Sequence, residues 1–486
     1  MAVVTVFSCI ERLLGFIYRI FLSRQIGAES VGVYQIALSI IGLLMTITAS
    51  GIPITVSRIM TKHVANREHT RKYSVVTGGI IIATIVSVST VALLLIFGNN
   101  LTFLFTDNRP LKLLKIMLPG VILTAIYAVI RGFFWGEKRF FTYSLIELLE
   151  EAVMLVCGII FLNTLSLKIS GEEKASYAVV ISYVFSFVVA TVVYFLVGGK
   201  FKSPKKELKP LISSATPITL MRTVASLINT IIAIILPARL VSAGLSQSLA
   251  MTEYGLLSGM SIPLIYIPST LIGSIALVLV PELSDNFYRN NMVTLKNSLE
   301  KAVKCSIFIA TLIIPVFISM GREIGVMVYN SEKAGEYVSK ATIIMFPMSI
   351  SLITTSMLNS LNLEKKTLNY FLIGSTLLIG SIWFLPKIIG VYALVVGLLL
   401  SYVTTAVFNL RLLYKTCKTP PKLTPFIIAS FIFIIPSTLL GVLLNSLLSK
   451  FIGSIISVVL TSIITVLFTY LFYRVFDLFD TKEFIK

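Results

Sequence analysis

The stretch SVVTGGIIIATIVSVSTVALLLIF (Ser74–Phe97) contains no charged residue over a length that would cross a lipid bilayer as an α-helix. About 20 mostly apolar residues are enough, because a helix rises about 1.5 Å per residue and the hydrocarbon layer is about 30 Å thick. Similar runs recur along the whole chain of 486 residues, of which 56% are hydrophobic and only 13% charged. Soluble domains carry about 25% charged residues. The sequence therefore predicts an all-α protein that crosses a membrane many times.

The apolar runs predict about fourteen transmembrane helices. The first run is expected to stay in the mature protein, because Glu11 and Arg12 lie at its centre, where a secretory signal peptide has an uncharged core. The predicted spans are residues 2–22, 31–57, 74–97, 112–135, 141–163, 177–197, 210–236, 253–280, 302–320, 338–360, 369–385, 388–410, 424–446 and 451–473.

The distribution of basic residues predicts the orientation of these spans. The loops after the even-numbered spans, with the C-terminus, carry roughly twice as many lysines and arginines as the loops on the other side. Basic loops stay in the cytoplasm, so both termini are expected there, in a multi-pass protein of the cytoplasmic membrane. The net charge of +19 is explained by this orientation, and no nucleic-acid partner is expected.

An internal repeat predicts two lobes. IMLP (Ile116–Pro119) returns as IMFP (Ile344–Pro347) 228 residues later, and GEKRFFTYSLI (Gly136–Ile146) corresponds to LEKKTLNYFLI (Leu363–Ile373) at an offset of 227. Because an even number of spans separates the copies, the repeat is parallel, and the substrate path is expected between the halves near the midplane. The predicted domains are a six-helix lobe at 1–199, a basic cytoplasmic linker at 200–209, a second six-helix lobe at 210–415, and two further helices with a cytoplasmic tail at 416–486.

Three glutamates interrupt the apolar stretch SLIELLEEAVMLVC (Ser144–Cys157) of the fifth span. Glu147 lies three and four residues before Glu150 and Glu151, so all three are expected on one side of the helix. Counted from the start of the span, they lie about 10 to 16 Å deep, where ionisable groups are costly. We interpret them as acids that line a cavity and either balance charge or take up a cation. Ion pairing that only locks helices together is the alternative.

The second copy of the repeat has no acids at the corresponding positions. At the offset of 227, the three glutamates correspond to Gly374, Leu377 and Leu378. A feature needed only to build the fold would be expected in both copies. The asymmetry therefore favours a functional role.

Arginines within apolar spans are the predicted substrate contacts. Arg12 and Arg19 flank Gly15 on one helical stripe of the first span, and Arg222 lies deep in the seventh. The guanidinium fork matches phosphate oxygens, which suits an anionic, phosphate-bearing substrate. Pairing with glutamates stays open for Arg12 and Arg222, as does a position at the membrane surface for Arg19. Arg131 ends its span and is expected at that surface.

Prolines and glycines within the spans are candidate hinges for alternating access, because helices bend or break at such residues. Kinks that merely fit the fold are the alternative. The candidate hinges are Gly15, Gly51, Pro53, Pro119, Pro217, Pro263, Pro268 and Pro347.

Catalytic and cofactor motifs are not found in the sequence. It contains no phosphate-binding loop, dinucleotide fingerprint or metalloprotease motif, so we expect no enzymatic activity and no cofactor. His63 and His69 share one basic loop and are expected as a surface pair rather than as metal ligands. No metal site is predicted.

Three stretches resemble the stage V sporulation protein B type of polysaccharide transporters. They are RLLGFIYRIFLSRQIGAESVGVYQIA (Arg12–Ala37), SGIPITVSR (Ser50–Arg58) and ILPARLVSAG (Ile235–Gly244). These transporters belong to the multidrug/oligosaccharidyl-lipid/polysaccharide flippase superfamily, with the lipid II flippases and the multidrug and toxin extrusion transporters. The resemblance implies two six-helix lobes around a central cavity and two additional C-terminal helices.

The resemblance also implies a function. The expected activity is the outward flipping of lipid II or a related undecaprenyl-diphosphate-linked sugar, in spore cortex or envelope polysaccharide synthesis. Arg12 matches the first arginine of the span-1 motif of lipid II flippases, whereas Tyr18 followed by Arg19 occupies the place of its second arginine. The implied partners are the lipid-linked oligosaccharide and membrane lipids, and a glycosyltransferase is left open. The alternatives are a cation-coupled multidrug exporter of the same superfamily and a non-transporting membrane scaffold.

Overall fold

The computed structural model is helical wherever it has regular structure, and it forms two compact units. It describes residues 2–68, 70–98, 100, 102, 105–164, 168–274, 283, 285–286, 289, 291–416, 423–476 and 478. The N-terminal unit comprises Met1–Val241 and Leu245–Gly255, and the C-terminal unit comprises Ser242–Gly244 and Leu256–Lys486.

The N-terminal unit contains eight helices among its described residues. They are α1 (Ala2–Ala49), α2 (Ile52–Ala65), α3 (Arg71–Phe97), α4 (Arg109–Gly136), α5 (Phe140–Thr164), α6 (Gly171–Leu196), α7 (Leu208–Ser242) and α8 (Gln247–Tyr254).

A π-helical segment, Gly255–Ser261, follows α8 directly. The helices after it are α9 (Ile262–Tyr266), α10 (Met292–Tyr329), α11 (Glu332–Ala341), α12 (Met345–Ser360), α13 (Glu364–Phe384), α14 (Pro386–Ile389), α15 (Tyr392–Thr416), α16 (Thr424–Phe451) and α17 (Ser454–Val475). A 3-10 turn, Thr342–Ile344, joins α11 to α12.

The many-span helical fold predicted from the sequence is confirmed. Eleven helical segments of the described chain are long and apolar enough to cross a membrane. Three features account for the difference from fourteen. The first two predicted spans run together as one helical segment, α5 carries three glutamates, and the eighth predicted span is divided among short helices, with residues 275–280 outside the described part.

Gly27 separates the first two predicted spans within α1. Its φ of 76° and ψ of 168° are not helical, so the helix breaks there into two halves. Positive φ is costly for residues that carry a Cβ, which explains glycine at this position. A second interruption at Ser50 and Gly51 separates α1 from α2, and Pro53 lies in the first turn of α2, where its missing N–H is tolerated.

Small residues set how closely the helices of the N-terminal unit pack. A Cβ at Gly79 of α3 would lie 2.8 Å from Cγ1 of Val129 in α4, and a Cβ at Gly132 of α4 would lie 2.7 Å from the carbonyl oxygen of Pro53. Within lipid the hydrophobic effect contributes little to helix association, so close van der Waals packing at small residues stabilises it instead. The α2, α3 and α4 helices therefore pack closely on one another, and Val56 and Val129 at these contacts belong to the buried core of the unit.

His63 is buried, and the predicted surface position for it is wrong. Only 7% of the residue is exposed. Its Nδ1 lies 2.6 Å from Oε2 of Glu68, and its Nε2 lies 3.1 Å from Oε2 of Glu207. One carboxylate lies five residues along the chain and the other 144 residues away, and the two hold the histidine inside, which its basic surroundings did not suggest. His69 lies outside the described residues.

The predicted linker at 200–209 joins α6 to α7, and α7 packs within the N-terminal unit. The compact units thus divide after α8, whereas the sequence repeat divides before α7. Sequence duplication and compactness are different properties of a chain, so the two six-helix lobes stay a prediction. Most of the predicted C-terminal tail, beyond residue 478, lies outside the described residues.

Candidate functional site: a charged cavity in the N-terminal unit

A cavity of about 370 Å³ lies among α1, α4, α5, α6 and α7 of the N-terminal unit. Its wall combines apolar side chains with hydroxyl groups and six charged residues. A volume of this size is at the lower end of the range of small-molecule sites. The charged lining residues are Glu11, Arg131, Glu147, Glu150, Glu151 and Arg222.

The three glutamates of α5 face this cavity together. Glu147, Glu150 and Glu151 are all partly buried, and all belong to its lining. Their spacing of three and four residues explains this, because such positions share one face of an α-helix. Counted from Phe140, where α5 begins, Glu147 lies about 10 Å along the helix axis and Glu151 about 16 Å.

Glu147 is held in an ion pair with Arg131. The Nη1 atom of Arg131 donates a hydrogen bond to Oε1 of Glu147 over 2.8 Å. The guanidinium carbon also lies 5.9 Å from the ring centre of Tyr127 and 5.3 Å from that of Trp135. A guanidinium on aromatic faces is further stabilised by the ring quadrupoles. Arg131 is therefore a cavity residue that pairs with an acid, whereas its predicted place at the membrane surface stays a prediction.

The distances of Arg131 and Glu147 from the turn between α4 and α5 indicate this pair. Arg131 lies five residues before the end of α4 at Gly136, and Glu147 lies seven residues after the start of α5 at Phe140. Two helices joined by a short turn run antiparallel, so residues at similar distances from the turn lie at similar depth. The sequence contained this signal.

Glu151 faces α1 at Gly15. A Cβ at Gly15 would lie 3.6 Å from Oε2 of Glu151, so the carboxylate lies against the glycine backbone. That oxygen is buried and has no hydrogen-bond partner among the residues that the structure describes. The charged groups that act on Glu151 include Glu11 and Arg19 of α1. The lack of a side chain at Gly15 thus leaves space for the Glu151 carboxylate of α5.

Arg222 caps the broken end of α1. Its Nη1 donates a hydrogen bond to the carbonyl oxygen of Ser50 over 3.0 Å. The last carbonyl groups of a helix lack intrahelical partners and carry partial negative charge, which favours a cation there. Close packing brings α7 to this point, because a Cβ at Gly51 would lie 2.5 Å from the carbonyl oxygen of Ala215.

The charged lining of the cavity is unbalanced. Four carboxylates face two guanidinium groups. Glu147 is paired, whereas Glu11, Glu150 and Glu151 have no ion pair within the described residues. Their charges would repel one another in a medium of low polarity, so uptake of a proton or another cation would relieve the site.

Unsatisfied polar atoms surround the same space. Buried polar groups in proteins nearly always have hydrogen-bond partners, and exceptions usually mark a place for water or a ligand. Several such atoms belong to residues that line this cavity. They are Oγ of Ser50, Oη of Tyr127, Nε of Arg131 and Oε2 of Glu151.

Arg12 and Arg19 are not among the residues that line the cavity. Arg12 is exposed, and Arg19 is partly buried and acts on Tyr34 and Glu151. Each helical residue is rotated by about 100° from the one before it. Glu11 lines the cavity and Gly15 touches Glu151, so the neighbouring Arg12 points elsewhere. Of the three predicted substrate arginines, only Arg222 reaches the cavity, and the role of each stays a prediction.

The candidate hinges lie at several kinds of position. Gly15 lies inside α1, and Gly51 and Pro53 lie at the junction of α1 and α2. The others are Pro119 inside α4, Pro217 inside α7, Pro263 in the first turn of α9, Pro268 just after α9, and Pro347 in the first turn of α12. Their role in movement stays a prediction.

Among the described residues, no group of three or more His, Cys, Asp or Glu side chains is arranged to hold a metal ion. Within that part of the chain, the cavity acids are distributed along the wall rather than gathered around one point.

The chain is similar to a described protein family and to a relative of known name. Residues 1–287 match the family described as polysaccharide biosynthesis protein. Stage V sporulation protein B of Bacillus subtilis (strain 168) is 25% identical over 395 residues, covering 77% of this chain and 75% of that protein.

Two solved structures show the same fold. The structure titled lipid II flippase MurJ, inward closed conformation, covers 98% of this chain and 99% of its own, with a TM-score of 0.72 and 16% identity. The inward-facing conformation of a multidrug resistance MATE family transporter of the MOP superfamily covers 82% of this chain and 92% of its own, with a TM-score of 0.67 and 15% identity.

Proposed function

Because the chain belongs to the polysaccharide biosynthesis protein family, we propose that it flips a lipid-linked cell-wall oligosaccharide across the membrane by alternating access. The protein is a multi-pass membrane transporter of the MOP superfamily, not an enzyme. The proposed substrate is lipid II or a related undecaprenyl-diphosphate-linked sugar. Similarity to stage V sporulation protein B supports a role in spore cortex or envelope polysaccharide synthesis.

The charged cavity of the N-terminal unit is the observation that carries the proposal. Ionisable groups at membrane depth are costly and usually mark a substrate or ion path. Four carboxylates, two guanidinium groups and several unsatisfied polar atoms share this one space. A protein that only organised other proteins in the membrane would gain nothing from maintaining them.

The acids of α5 divide into two kinds under this proposal. Glu147 and Arg131 form a fixed balance of charge, because each is held by the other over 2.8 Å. Glu150 and Glu151 have no ion pair in the described structure, so they take up a cation during the transport cycle. This cation neutralises the wall of the cavity when the anionic headgroup of the substrate is near.

Arginines hold the substrate diphosphate in this proposal. Arg222 lines the cavity and uses one guanidinium nitrogen on the carbonyl of Ser50, which leaves other N–H groups for phosphate oxygens. Arg12 and Arg19 contribute from α1 as the substrate moves. The cytoplasmic position of both termini belongs to the same proposal, with a glycosyltransferase as a further candidate partner.

The unpaired carboxylates also favour a second candidate, a cation-coupled multidrug exporter. An excess of negative charge suits a cationic drug, and the fold is shared with a multidrug resistance transporter. Drug resistance conferred on a sensitive host and lost on Glu150→Gln would support this candidate.

Flipping of labelled lipid II in reconstituted vesicles tests the main proposal. Vesicles with the protein should translocate the lipid faster than protein-free vesicles, and Arg222→Ala and Arg12→Ala should abolish the difference. Arg474→Ala is the matched control, because Arg474 is exposed at the end of α17 in the other unit. Flipping at the protein-free rate would overturn the proposed function, and normal flipping in Arg12→Ala would remove that residue from the diphosphate site.

A further inference from the structure

The segment between α6 and α7 presents an unusually uniform positive charge. Residues 200–209, KFKSPKKELK, contain five lysines and one acid. All five lysines are exposed. The acid, Glu207, is only 2% exposed, and it contacts His63 and Arg71. The outer surface of this segment, which we call the lysine loop, therefore carries positive charge alone.

The lysine loop is held in a defined conformation. The hydroxyl of Tyr194 donates a hydrogen bond to the carbonyl of Lys200 over 2.8 Å, and the amide of Lys202 donates one to Oγ1 of Thr77 over 3.1 Å. Pro204 packs at Gly78 of α3, where an added Cβ would lie 3.2 Å from it. The backbone that carries Lys200 and Lys202 is thus held against α6 and α3.

An apolar edge lies beside these lysines. Phe201 is 57% exposed, and its ring centre lies 5.4 Å from that of Phe195 in the last turn of α6. Phe195 and Leu196 are also exposed, as residues at the end of a membrane helix that faces lipid. Phe201 therefore returns to the level at which α6 leaves the membrane, where aromatic rings favour the headgroup region.

We propose that the lysine loop binds the headgroups of anionic phospholipids, with Phe201 inserted among them. Lysine ammonium groups are point charges suited to phosphate, and each lysine near an anionic membrane strengthens binding about fivefold. The buried pairing of Glu207 removes the one charge that would oppose this. The inference does not depend on the transported substrate.

An acidic partner protein is the competing occupant of this surface. It would meet the same lysines, but it would have to cover Phe201 at the depth of the lipid boundary. A membrane surface satisfies the charge and the apolar edge together. We therefore assign the loop to lipid.

The test uses the full chain in nanodiscs of phosphatidylcholine, alone or mixed with phosphatidylglycerol. A polarity-sensitive dye is attached at Ser203→Cys, which is exposed within the loop, after the four native cysteines are replaced by alanine. Phosphatidylglycerol should move the emission to shorter wavelength and protect the dye from iodide. Salt at 1 M should reverse this, because the screening length falls to about 3 Å.

Two double variants complete the test. Lys200→Gln with Lys202→Gln should lose most of the response to phosphatidylglycerol. Lys365→Gln with Lys366→Gln removes an exposed pair from the first turn of α13 and should keep it. An equal dye response in both lipids, or equal loss in both variants, would overturn the assignment. So would a dye that stays in water in both lipids but becomes shielded when cytosolic protein is added.

Discussion

The α5 and α13 helices occupy corresponding positions of the sequence repeat, and they use those positions in opposite ways. In α5, Glu147, Glu150 and Glu151 face a cavity. In α13, the residue corresponding to Glu147 is Gly374, and a Cβ there would lie 2.8 Å from Oγ of Ser401 and 2.9 Å from its carbonyl oxygen. One copy holds ionisable groups around a space, whereas the other closes its helices tightly on each other.

If the sequence repeat reflects the predicted duplication, helices at corresponding positions have taken on two different roles. Small residues allow close helix contact within lipid, where apolar burial contributes little. The pair α13 and α15 follows that rule twice, because a Cβ at Gly397 would lie 2.6 Å from Cδ1 of Leu378. The α5 helix does not follow this rule, and ion pairing such as that of Glu147 with Arg131 offsets part of the free energy of burying its acids. We therefore expect substitutions in the two copies to fail for different reasons.

The largest effect is expected from breaking the ion pair of the acidic copy. Arg131→Met leaves Glu147 without its partner, at positions where the two side chains are only 30% and 22% exposed. Loss of one partner of a fully buried pair costs about 3–5 kcal/mol, so partial exposure suggests about 2 kcal/mol here. The measurement is thermal unfolding of the purified protein in detergent.

The pair has two controls. Arg131→Met with Glu147→Leu should recover most of the lost stability, because no uncompensated charge remains. Arg322→Met breaks an exposed pair with Glu332 in the other unit and should change little. If the double variant were as unstable as Arg131→Met alone, the aromatic contacts of Arg131, and not its charge, would dominate.

The second effect is expected from the tightly packed copy. Gly374→Ala forces a methyl group against the backbone of α15, which costs about 1 kcal/mol of unfolding free energy, at the lower end of the overpacking range. Gly380→Ala in the same helix meets nothing within 4 Å and should be neutral or stabilising by up to about 1 kcal/mol. Equal melting temperatures for the two variants would contradict the close contact at Gly374.

Sequence reasoning succeeded for the helices because each depends on its own residues. Length and hydropathy predict where a segment such as α3 lies, and the predicted spans 2–22 and 31–57 lie on either side of the break that the structure shows at Gly27. The same local rule placed all three glutamates of α5 on one face. Spacing within a helix is a property of the chain itself.

The site was harder to predict because its other side chains come from different helices. A rotation of about 100° separates Glu11, which lines the cavity, from Arg12, which does not. Nothing within the first span alone says which of the two faces α5. The end of a span suits both the membrane surface and a partner on the next helix, so only the similar distances of Arg131 and Glu147 from the turn between α4 and α5 favour the pair.

A smaller change of stability is expected from a substitution of Glu151, which has no ion pair among the described residues. Glu151→Gln removes the charge from a buried carboxylate whose Oε2 has no hydrogen-bond partner among the described residues, so stability should stay within about 1 kcal/mol of the native protein or rise. Flipping should nevertheless fall, because the group proposed to take up a cation is gone. Glu147→Gln is the contrasting variant, since it leaves Arg131 unpaired and should lower the melting temperature. A stable Glu151→Gln protein that flips normally would remove the cation role.

Gly15 should give the smallest change of stability, and it tests whether the acidic copy has spare room. The methyl group of Gly15→Ala would lie 3.6 Å from Oε2 of Glu151, an ordinary van der Waals contact, and alanine favours the helix by up to about 1 kcal/mol. Partial covering of the carboxylate offsets that gain, so the net change should stay within about 0.5 kcal/mol. Gly397→Ala in the other copy meets Leu378 at 2.6 Å and should destabilise clearly. If Gly15 acts as a hinge, flipping falls in Gly15→Ala while its melting temperature does not. A melting temperature lowered as far as that of Gly397→Ala would mean that the wall at Gly15 is as tightly packed as α13, and the contrast between the two copies would fail there.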